Sequence, residues 1–287
     1  MTQPGEQDDH IAPATRALAA LIVPFLVAAF VNLYLLPGEA ATAFAWPIAP
    51  RMTEFLLGSA YLGGAYFFVC VVLQRHWHHV AVGFLPVTTF ASLMLLATLL
   101  HWDRFSHAHL AFVVWVALYA TTPLLVLGVW LRNRLADPGV ADPDDITTPV
   151  PARVVMGLAG ALLLVAGLLF FVAPKLLISM WPWALTPLTA RVVSACFALT
   201  GVFGLVITRD RRWGAARIAL QSQAFAIILI LAGAVRAWSD FDPSRPLTWL
   251  FVGGMAVMLA AILILYAALE VRRFGRRIPS DVGQRAE

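Results

Sequence analysis

Residues 153–174 read RVVMGLAGALLLVAGLLFFVAP, and the only charged residue among them is the first. An α-helix needs about 20 mostly apolar residues to cross a bilayer, because the hydrocarbon core is about 30 Å thick and each residue rises about 1.5 Å. Membrane-spanning β-strands are shorter, about 10 residues, and alternate apolar with polar positions. The segment is therefore predicted to be a transmembrane helix.

Seven further segments have the same character, and the composition agrees with a membrane protein. Hydrophobic residues make up 61% of the 287 residues and charged residues 13%, whereas soluble domains average roughly 45–50% apolar and about 25% charged. The fold class predicted is all-α, a polytopic integral membrane protein with eight transmembrane helices. The predicted spans are residues 17–36, 53–74, 80–101, 109–131, 153–174, 188–208, 215–236 and 247–269.

The second half of the chain repeats the first at an offset of 136 residues. The matching pairs are Thr53 and Thr189, Arg75 and Arg211, Trp77 and Trp213, Trp102 and Trp238, Phe105 and Phe241, and Trp130 and Tyr266. Trp46-Pro47 and Trp181-Pro182 correspond with a slip of one residue. Each half holds an even number of helices, so both halves enter the membrane from the same side. The pattern predicts two parallel four-helix repeats related by a pseudo-twofold axis along the membrane normal.

The repeat divides the chain into five parts. Residues 15–131 and 153–271 form the two membrane repeats, and the polar residues 132–152 form a cytoplasmic linker between them. Residues 1–14 and 272–287 are predicted to be cytoplasmic tails, the first of them disordered. Small residues let helices approach closely, so seven glycines are candidates for the interface between the halves. They are Gly58, Gly63, Gly64, Gly201, Gly204, Gly253 and Gly254.

The distribution of Arg and Lys predicts the orientation in the membrane. One face carries 14 of the 20 cationic residues and the other carries 6, so both termini are predicted to lie in the cytoplasm, with the protein in the cytoplasmic (inner) membrane. The abundance of Ala, Val, Leu and Gly and the scarcity of Lys indicate a bacterial source. Anionic lipid headgroups suit the basic loops, so membrane lipids are expected partners and nucleic acid is not.

Tryptophans and histidines concentrate near the predicted helix ends. Residues 76–79, HWHH, have the counterpart Arg212-Trp213-Gly214-Ala215, so a basic residue before Trp is what recurs. This pattern favours anchoring to lipid headgroups over a metal centre. Six tryptophans near the outer ends are predicted to form an aromatic belt at the membrane surface: Trp46, Trp102, Trp181, Trp183, Trp238 and Trp249.

The densest polar cluster is residues 101–109, HWDRFSHAH, between the third and fourth helices. Imidazoles and carboxylates are zinc ligands, so one interpretation is a metal site built from His101, Asp103, His107 and His109. The spacing matches no metal signature, and the corresponding segment of the second half has no His. The favoured interpretation is an interfacial loop in which Asp103 pairs with Arg104 or another outer charge. No metal and no cofactor is expected.

Polar side chains at membrane depth are a stronger functional lead, because in hydrocarbon they must be paired or face a cavity. Arg191 corresponds in the repeat to Phe55, beside Glu54. An ion pair between Glu54 and Arg191 across the pseudo-axis is therefore predicted, the alternative being that both side chains reach headgroups. Thr88 and Gln221 lie on equivalent helices and either line a polar cavity or, as favoured here, make contacts with neighbouring helices or with their own backbone.

Function is predicted only in outline. The favoured function is that of a transporter-like bundle, which binds or moves a small or amphiphilic molecule between the two halves. The alternative is a non-catalytic membrane scaffold or accessory subunit that holds a membrane-protein partner. A third candidate is a membrane enzyme acting at residues 101–109, although no Gly-x-Ser-x-Gly, His-Glu-x-x-His, Walker or dinucleotide motif occurs. The candidate functional residues are Glu54, Arg191, His101, Asp103, Arg104, Thr88 and Gln221.

Overall fold

The computed structural model describes residues 9–38 and 44–277, and eight helices in these ranges are long and apolar enough to cross a membrane. No β-strand occurs in the same ranges. The predicted all-α polytopic membrane fold is confirmed. The spanning helices are α1 (Pro13–Leu35), α2 (Arg51–Leu73), α3 (Ala81–Leu100), α4 (Leu110–Asn133), α5 (Val150–Val172), α6 (Pro187–Ile207), α7 (Trp213–Arg236) and α8 (Pro246–Arg277). A seven-residue helix, Pro174–Met180, follows α5.

The helix ends agree with the predicted spans to within four residues, except at the end of α8. This helix continues to Arg277, eight residues beyond the predicted limit at 269. Its last turns contact the segment between α4 and α5, since Leu269 is buried and Arg273 Nη2 donates to Asp144 Oδ2 at 3.0 Å. Of the predicted tails, 1–14 and 272–287, residues 1–8 and 278–287 lie outside the described residues, whereas α1 begins at Pro13 and α8 includes residues 272–277.

Because eight spans return the chain to its starting side, Asp9 and Arg277 lie at the same membrane face, here called the terminal face. This face carries the loops α2–α3 and α6–α7 and the linker between α4 and α5. The other face, here called the opposite face, carries the remaining loops.

Helices from both halves pack against each other in the bundle. α2 packs on α1 and α7, and α3 packs on α4 and α6. The outer helices α5 and α8 pack on α6 and α7, respectively. The result is two rows, α1-α2-α7-α8 and α5-α6-α3-α4, each with two helices from each half. The four inner helices, α2, α3, α6 and α7, therefore meet at the centre of the bundle.

Glycines allow the closest helix contacts, but only some of the predicted ones lie between the halves. Gly63 does so, since a Cβ there would lie 2.9 Å from Ala226 Cβ on α7. Gly201 and Gly204 instead pack on α5 within the second half, and a Cβ at Gly201 would lie 2.4 Å from the Leu164 nitrogen. Gly58 packs on α1, and a Cβ at Gly253 or Gly254 would meet no atom within 4 Å.

Matching backbone hydrogen bonds tie the segment before each half to that half's first loop at the terminal face. They run from Trp77 N to Asp9 O (2.9 Å), Trp213 N to Ile146 O (2.9 Å), Ile11 N to Arg75 O (3.2 Å) and Thr148 N to Arg211 O (2.8 Å). The Trp77 and Trp213 side chains are fully buried. The prediction that these tryptophans anchor to headgroups is therefore wrong, because their indole rings pack inside the protein.

The predicted aromatic belt at the opposite face is also wrong for half of its members. Trp102, Trp238 and Trp249 are exposed, whereas Trp46, Trp181 and Trp183 are buried. The buried indoles are held by other aromatic rings, since Trp46 lies edge-on to Trp115 at 4.7 Å and Trp181 to Phe251 at 5.6 Å between ring centroids. Edge-to-face packing stabilises such pairs beyond the apolar area they bury.

Candidate functional site

A cavity of about 460 Å³ lies among the four inner helices. Its lining contains seven pairs of residues that are 136 positions apart, and it lies where α2 and α3 meet α6 and α7. The pairs are Ala60 and Cys196, Gly63 and Leu199, Gly64 and Thr200, Phe67 and Phe203, Gly83 and Ala219, Pro86 and Ser222, and Val87 and Gln223.

The cavity wall is almost entirely apolar. Its polar side chains, Trp181, Thr200, Ser222 and Gln223, all come from the second half, and no charged residue of the described chain lines it. Ser222 Oγ donates to the Gly63 carbonyl at 2.7 Å. Trp181 Nε1 is buried without an acceptor in the described ranges, and no side-chain hydrogen bond to described residues engages Thr200 or Gln223. Neutral polar groups are thus available to a bound molecule.

The cavity reaches the periphery of the bundle between α5 and α8. Leu163 of α5 lines it, while α5 and α8 pack on α6 and α7 and make little contact with each other. The α8 residues on its wall are Leu247, Leu250, Phe251, Gly254, Met255 and Met258. Unbranched Met side chains adapt readily to the shape of an apolar ligand. Leu250 lines the cavity and is 66% exposed, so the cavity meets the surface of the bundle beside α8.

A second cavity of about 390 Å³ lies among α1, α2, α3 and α4. Six of its α4 residues are the counterparts, 136 positions earlier, of the six α8 residues of the central cavity: Ala111, Val114, Trp115, Leu118, Tyr119 and Thr122. Tyr61 and Tyr119 hydrogen-bond at 3.0 Å between their hydroxyl oxygens. The second cavity has no wall from α6 or α7, so it stays within the first half.

The predicted ion pair between Glu54 and Arg191 is wrong. Glu54 is buried and accepts a hydrogen bond from Gly38 N at 2.8 Å. Arg191 donates from Nε to the Phe171 carbonyl at 3.0 Å and from Nη1 to His101 Nε2 at 2.5 Å. The physical reason is that α2, which carries Glu54, lies in one row and α6, which carries Arg191, lies in the other.

The His and Asp side chains of residues 101–109 do not converge on one point. Asp103 pairs with Arg104 at 3.3 Å, and both side chains are exposed. His107 Nε2 donates to the Trp102 carbonyl at 2.9 Å. Burial and the Arg191 guanidinium lower the pKa of His101, so its Nε2 accepts the Arg191 hydrogen bond as a neutral imidazole. This geometry supports the interfacial loop with an Asp103–Arg104 pair and gives no support to a metal or catalytic centre.

Thr88 and Gln221 make helix contacts and do not line the central cavity. Thr88 Oγ1 donates to the Phe84 carbonyl one turn earlier at 2.9 Å. Gln221 accepts from Tyr66 Oη at 2.9 Å and donates to Tyr266 Oη at 2.6 Å. These contacts agree with the favoured interpretation of both residues.

Of the polar cavity residues, Thr200 was missed, and Gln223 was not among the candidate functional residues. A signal for them exists in the sequence, because each replaces an apolar or small residue of the first half in the middle of a helix. At the 136 offset, Thr200 corresponds to Gly64 and Gln223 corresponds to Val87. Helix packing does not require a polar side chain at a position whose counterpart 136 residues earlier is apolar or small. Such a difference therefore marks a candidate functional position.

Residues able to hold a metal ion lie at the terminal face. Ligand atoms of Asp9, His76 and His78 form one close group, and those of His78, His79 and Asp142 form another. The favoured sequence interpretation of this loop, headgroup anchoring, does not account for it because His78 and His79 are buried. Comparisons with protein-family models, with curated proteins and with solved structures gave no match.

Proposed function

We propose that the protein is a transporter-like bundle that binds one apolar or weakly amphiphilic molecule in the central cavity and exchanges it with the bilayer between α5 and α8. The observation that carries this proposal is the cavity itself, of about 460 Å³, at the meeting point of the two halves. Ligand sites typically have volumes of about 300–1,000 Å³, apolar walls and a few polar groups that orient the ligand.

The wall chemistry defines the class of ligand. A charged headgroup would lose its hydration without gaining a counter-ion, at a cost of several kcal/mol. A neutral molecule with one or two hydroxyl or carbonyl groups could use the Trp181 N–H, the Thr200 hydroxyl and the Gln223 amide. The ligand is therefore a neutral lipid or a lipid-like molecule with a small polar group.

The two halves support transport because carriers built from parallel repeats bind their substrates at the repeat interface. The seven lining pairs and the matching backbone hydrogen bonds of Trp77 and Trp213 favour an internal duplication. We place the protein in the cytoplasmic membrane of a bacterium with the terminal face in the cytoplasm, on the basis of the Arg and Lys distribution.

The second candidate, a membrane scaffold or accessory subunit, is favoured by the outermost helix. Only 6% of the most apolar 18-residue stretch of α8 is buried within the chain. Lipid covers such a face as well as a partner protein does, so this observation is weaker than the cavity. The third candidate, an enzyme at residues 101–109, has no support in the positions of its side chains.

Two adjacent glycines of α8 provide the test. Gly254 lines the cavity, Gly253 does not, and a Cβ at either position meets no atom within 4 Å. The protein and its Gly254→Trp and Gly253→Trp variants would be purified in lipid nanodiscs, and the bound molecules would be identified by native mass spectrometry. The expected result is one bound molecule per chain in the wild type and in Gly253→Trp, and its loss in Gly254→Trp.

Other results would reject parts of the proposal. Absence of a stoichiometric molecule in the wild type, or its retention in Gly254→Trp, removes the cavity as the binding site. If the molecule binds but does not move between the leaflets of reconstituted vesicles, the protein is a binder and not a carrier.

Orientation is tested separately, with Cys70 and Cys196 replaced by Ala and single cysteines introduced at Arg104 and Leu135. Both of these positions are exposed, at opposite membrane faces. In intact cells, a membrane-impermeant maleimide should label Arg104→Cys and spare Leu135→Cys.

A further inference from the structure

Three chain segments meet at the terminal face around two buried imidazoles. His78 and His79 come from the α2–α3 loop, Asp9 from the segment before α1, and Asp142 from the linker between the halves. Side chains that are distant in sequence are thus gathered in one cluster. His78 is 1% exposed, so the cluster is closed from solvent on that side.

The hydrogen bonds of His78 determine which of its nitrogens carries the proton. Nδ1 is bonded to the Asp9 carboxylate, which can only accept, so Nδ1 is the protonated nitrogen. Nε2 is then left with a lone pair. It is buried, has no hydrogen-bond partner within residues 9–38 and 44–277, and lies 3.8 Å from Asp142 Oδ2. A buried lone pair beside a carboxylate requires a cation or a donor between them.

His79 presents its Nε2 to the same carboxylate. This nitrogen lies 2.9 Å from Asp142 Oδ2, and His79 Nδ1 lies 3.4 Å from the Gln74 side-chain oxygen. Because the Asp142 carboxylate can only accept, His79 Nε2 donates to it when no metal is bound. A metal ion would displace that proton, and Gln74 then lies where it can accept from Nδ1–H.

We propose that His78 Nε2, His79 Nε2 and Asp142 Oδ2 bind a divalent transition-metal ion, with zinc as the best chemical match and water as the fourth ligand. The three atoms lie within 4.8 Å of one another. Tetrahedral zinc with bonds of about 2.0–2.1 Å separates its ligand atoms by roughly 3.3 Å. The separations of 2.9 and 3.8 Å need to change by only about half an ångström to reach that value.

The outer contacts have the arrangement that metal-bound histidines require. Asp9 accepts from His78 Nδ1, and the Gln74 side-chain oxygen faces His79 Nδ1 at 3.4 Å. Such partners fix the tautomer and the ring orientation of each ligand. The nearby carboxylate of Asp145 is not a fourth ligand, because it accepts hydrogen bonds from the Ile146 and Gly214 nitrogens.

The second half has the corresponding hydrogen bond from a backbone nitrogen to an aspartate, but it lacks the histidine ligands. Asp9 Oδ1 accepts from His78 N, and at the 136 offset Asp145 Oδ1 accepts from Gly214 N. Gly214 thus stands where His78 stands in the first half. A Cβ at Gly214 would lie 3.1 Å from His79 Nε2, so glycine also leaves room beside the metal ligand. Within residues 9–38 and 44–277 the site therefore has no second copy, and it binds the linker to the first half.

Zinc binding to the full-length protein tests this proposal directly. The purified protein would be stripped with a chelator, titrated with Zn²⁺ and analysed for metal after removal of free ions. The expected result is one zinc per chain and a rise in melting temperature. Cobalt in the same site should give the visible absorption bands of four-coordinate Co²⁺. Absence of stoichiometric zinc overturns the proposal.

Three variants test the proposed ligand set. Asp142→Asn should weaken zinc affinity by at least about 100-fold, and Gln74→Leu, which removes an outer acceptor, by about 10- to 100-fold. His76→Asn is the control, since its side chain is 44% exposed and contacts Asp9 without belonging to the proposed ligand set. Each apo variant is first shown to be folded by its melting curve. Zinc affinity unchanged in Asp142→Asn, or lost in His76→Asn, would rule out this ligand set.

Discussion

Arg191 and Arg236 occupy corresponding places at the two junctions between the halves, although they come from different helices. Arg191 extends from the start of α6 to His101, at the end of α3. Arg236 extends from the end of α7 over the ring of Phe55, near the start of α2, at 4.5 Å from the centroid. At the 136 offset, Arg191 corresponds to Phe55 and Arg236 to Leu100, the residue before His101. Each junction thus contains one arginine.

Each arginine also holds the end of an outer helix. Arg191 Nε donates to the Phe171 carbonyl at 3.0 Å, and Arg236 Nη1 donates to the Tyr34 carbonyl at 3.3 Å. Both guanidinium groups lie over the ring of the residue whose carbonyl they bind. Since the carbonyls at a helix C-terminus lack partners within the helix, these side chains act as caps.

Replacing Arg191 with Met should lower stability by about 1.5–3 kcal/mol, because hydrogen bonds to a charged group at a partly buried site are lost. Thermal unfolding in a mild detergent, compared between the variant and the wild type, measures the loss. Arg104→Met is the matched control. Its only ion pair in the described chain is with exposed Asp103, so it should change stability by less than about 1 kcal/mol. Equal losses in the two variants would show that Arg191 is not a structural link.

The Arg191–His101 contact should make stability depend on pH. Burial and Arg191 depress the pKa of His101 below its usual value of 6.5 in the folded protein. Above pH 6.5 both states are neutral and there is no penalty. As the pH falls through 6.5, the unfolded chain takes up the proton first, so stability falls until the pH reaches the folded pKa. Melting temperatures between pH 8 and pH 5 measure this effect.

His101→Gln provides the comparison, because burial depresses the pKa of His79 too and adds a loss in the same pH range. The slope of melting temperature against pH should be shallower in His101→Gln than in the wild type. Identical slopes would exclude His101 as a contributor.

The helices could be predicted from the sequence because one physical requirement dominates them. A run of about 20 apolar residues has few alternatives to a spanning helix. The end of α8 was missed because its last turns are charged, and residues such as Arg273 find partners in the linker that hydropathy does not reveal.

The neighbours of each helix could not be predicted in the same way. A repeat identifies equivalent helices but does not say which of them touch, and Glu54 is separated from Arg191 because α2 and α6 lie in different rows. The cluster at His78 was missed for a related reason. Asp9 and Asp142 are far from the loop in sequence, and only the fold brings them to the imidazoles.

The contact between α5 and α6 gives a prediction about packing. A Cβ at Gly201 would lie 2.4 Å from the Leu164 nitrogen and 2.7 Å from its Cα, and backbone atoms cannot move aside without moving the helix. Gly201→Ala should therefore lower stability by about 1–3 kcal/mol, the usual cost of overpacking. Detergent melting curves again measure the effect.

Gly128→Ala is the control for helix propensity. A Cβ at Gly128, on α4, meets no atom within 4 Å, so alanine should be neutral or stabilising by up to about 1 kcal/mol. If Gly201→Ala is as stable as Gly128→Ala, the two helices do not pack as closely as described.

The linker provides the last prediction, through Arg212 before α7. Its side chain is 11% exposed, and its Nη2 lies 2.5 Å from Asp137 Oδ2 and 2.7 Å from Asp210 Oδ2. Arg212→Gln leaves these carboxylates without their cation, and the expected loss is about 3 kcal/mol. Burial alone would raise the pKa of Asp137, but the hydrogen bonds from Arg212 outweigh it and hold this pKa below 3.8. The contribution of Asp137 is therefore complete above pH 4 and is lost as the pH falls through the folded pKa.

A double-mutant cycle separates the ion pair from general damage to the linker. Arg212→Gln, Asp137→Asn and the double variant are compared at pH 7 by thermal unfolding. Because the two side chains contact each other, the loss in the double variant should be smaller than the sum of the single losses by at least about 1 kcal/mol. Additive losses would mean that Arg212 holds Asp210 alone and that the linker is attached to the second half by its backbone hydrogen bonds, such as that from Trp213 N to Ile146 O.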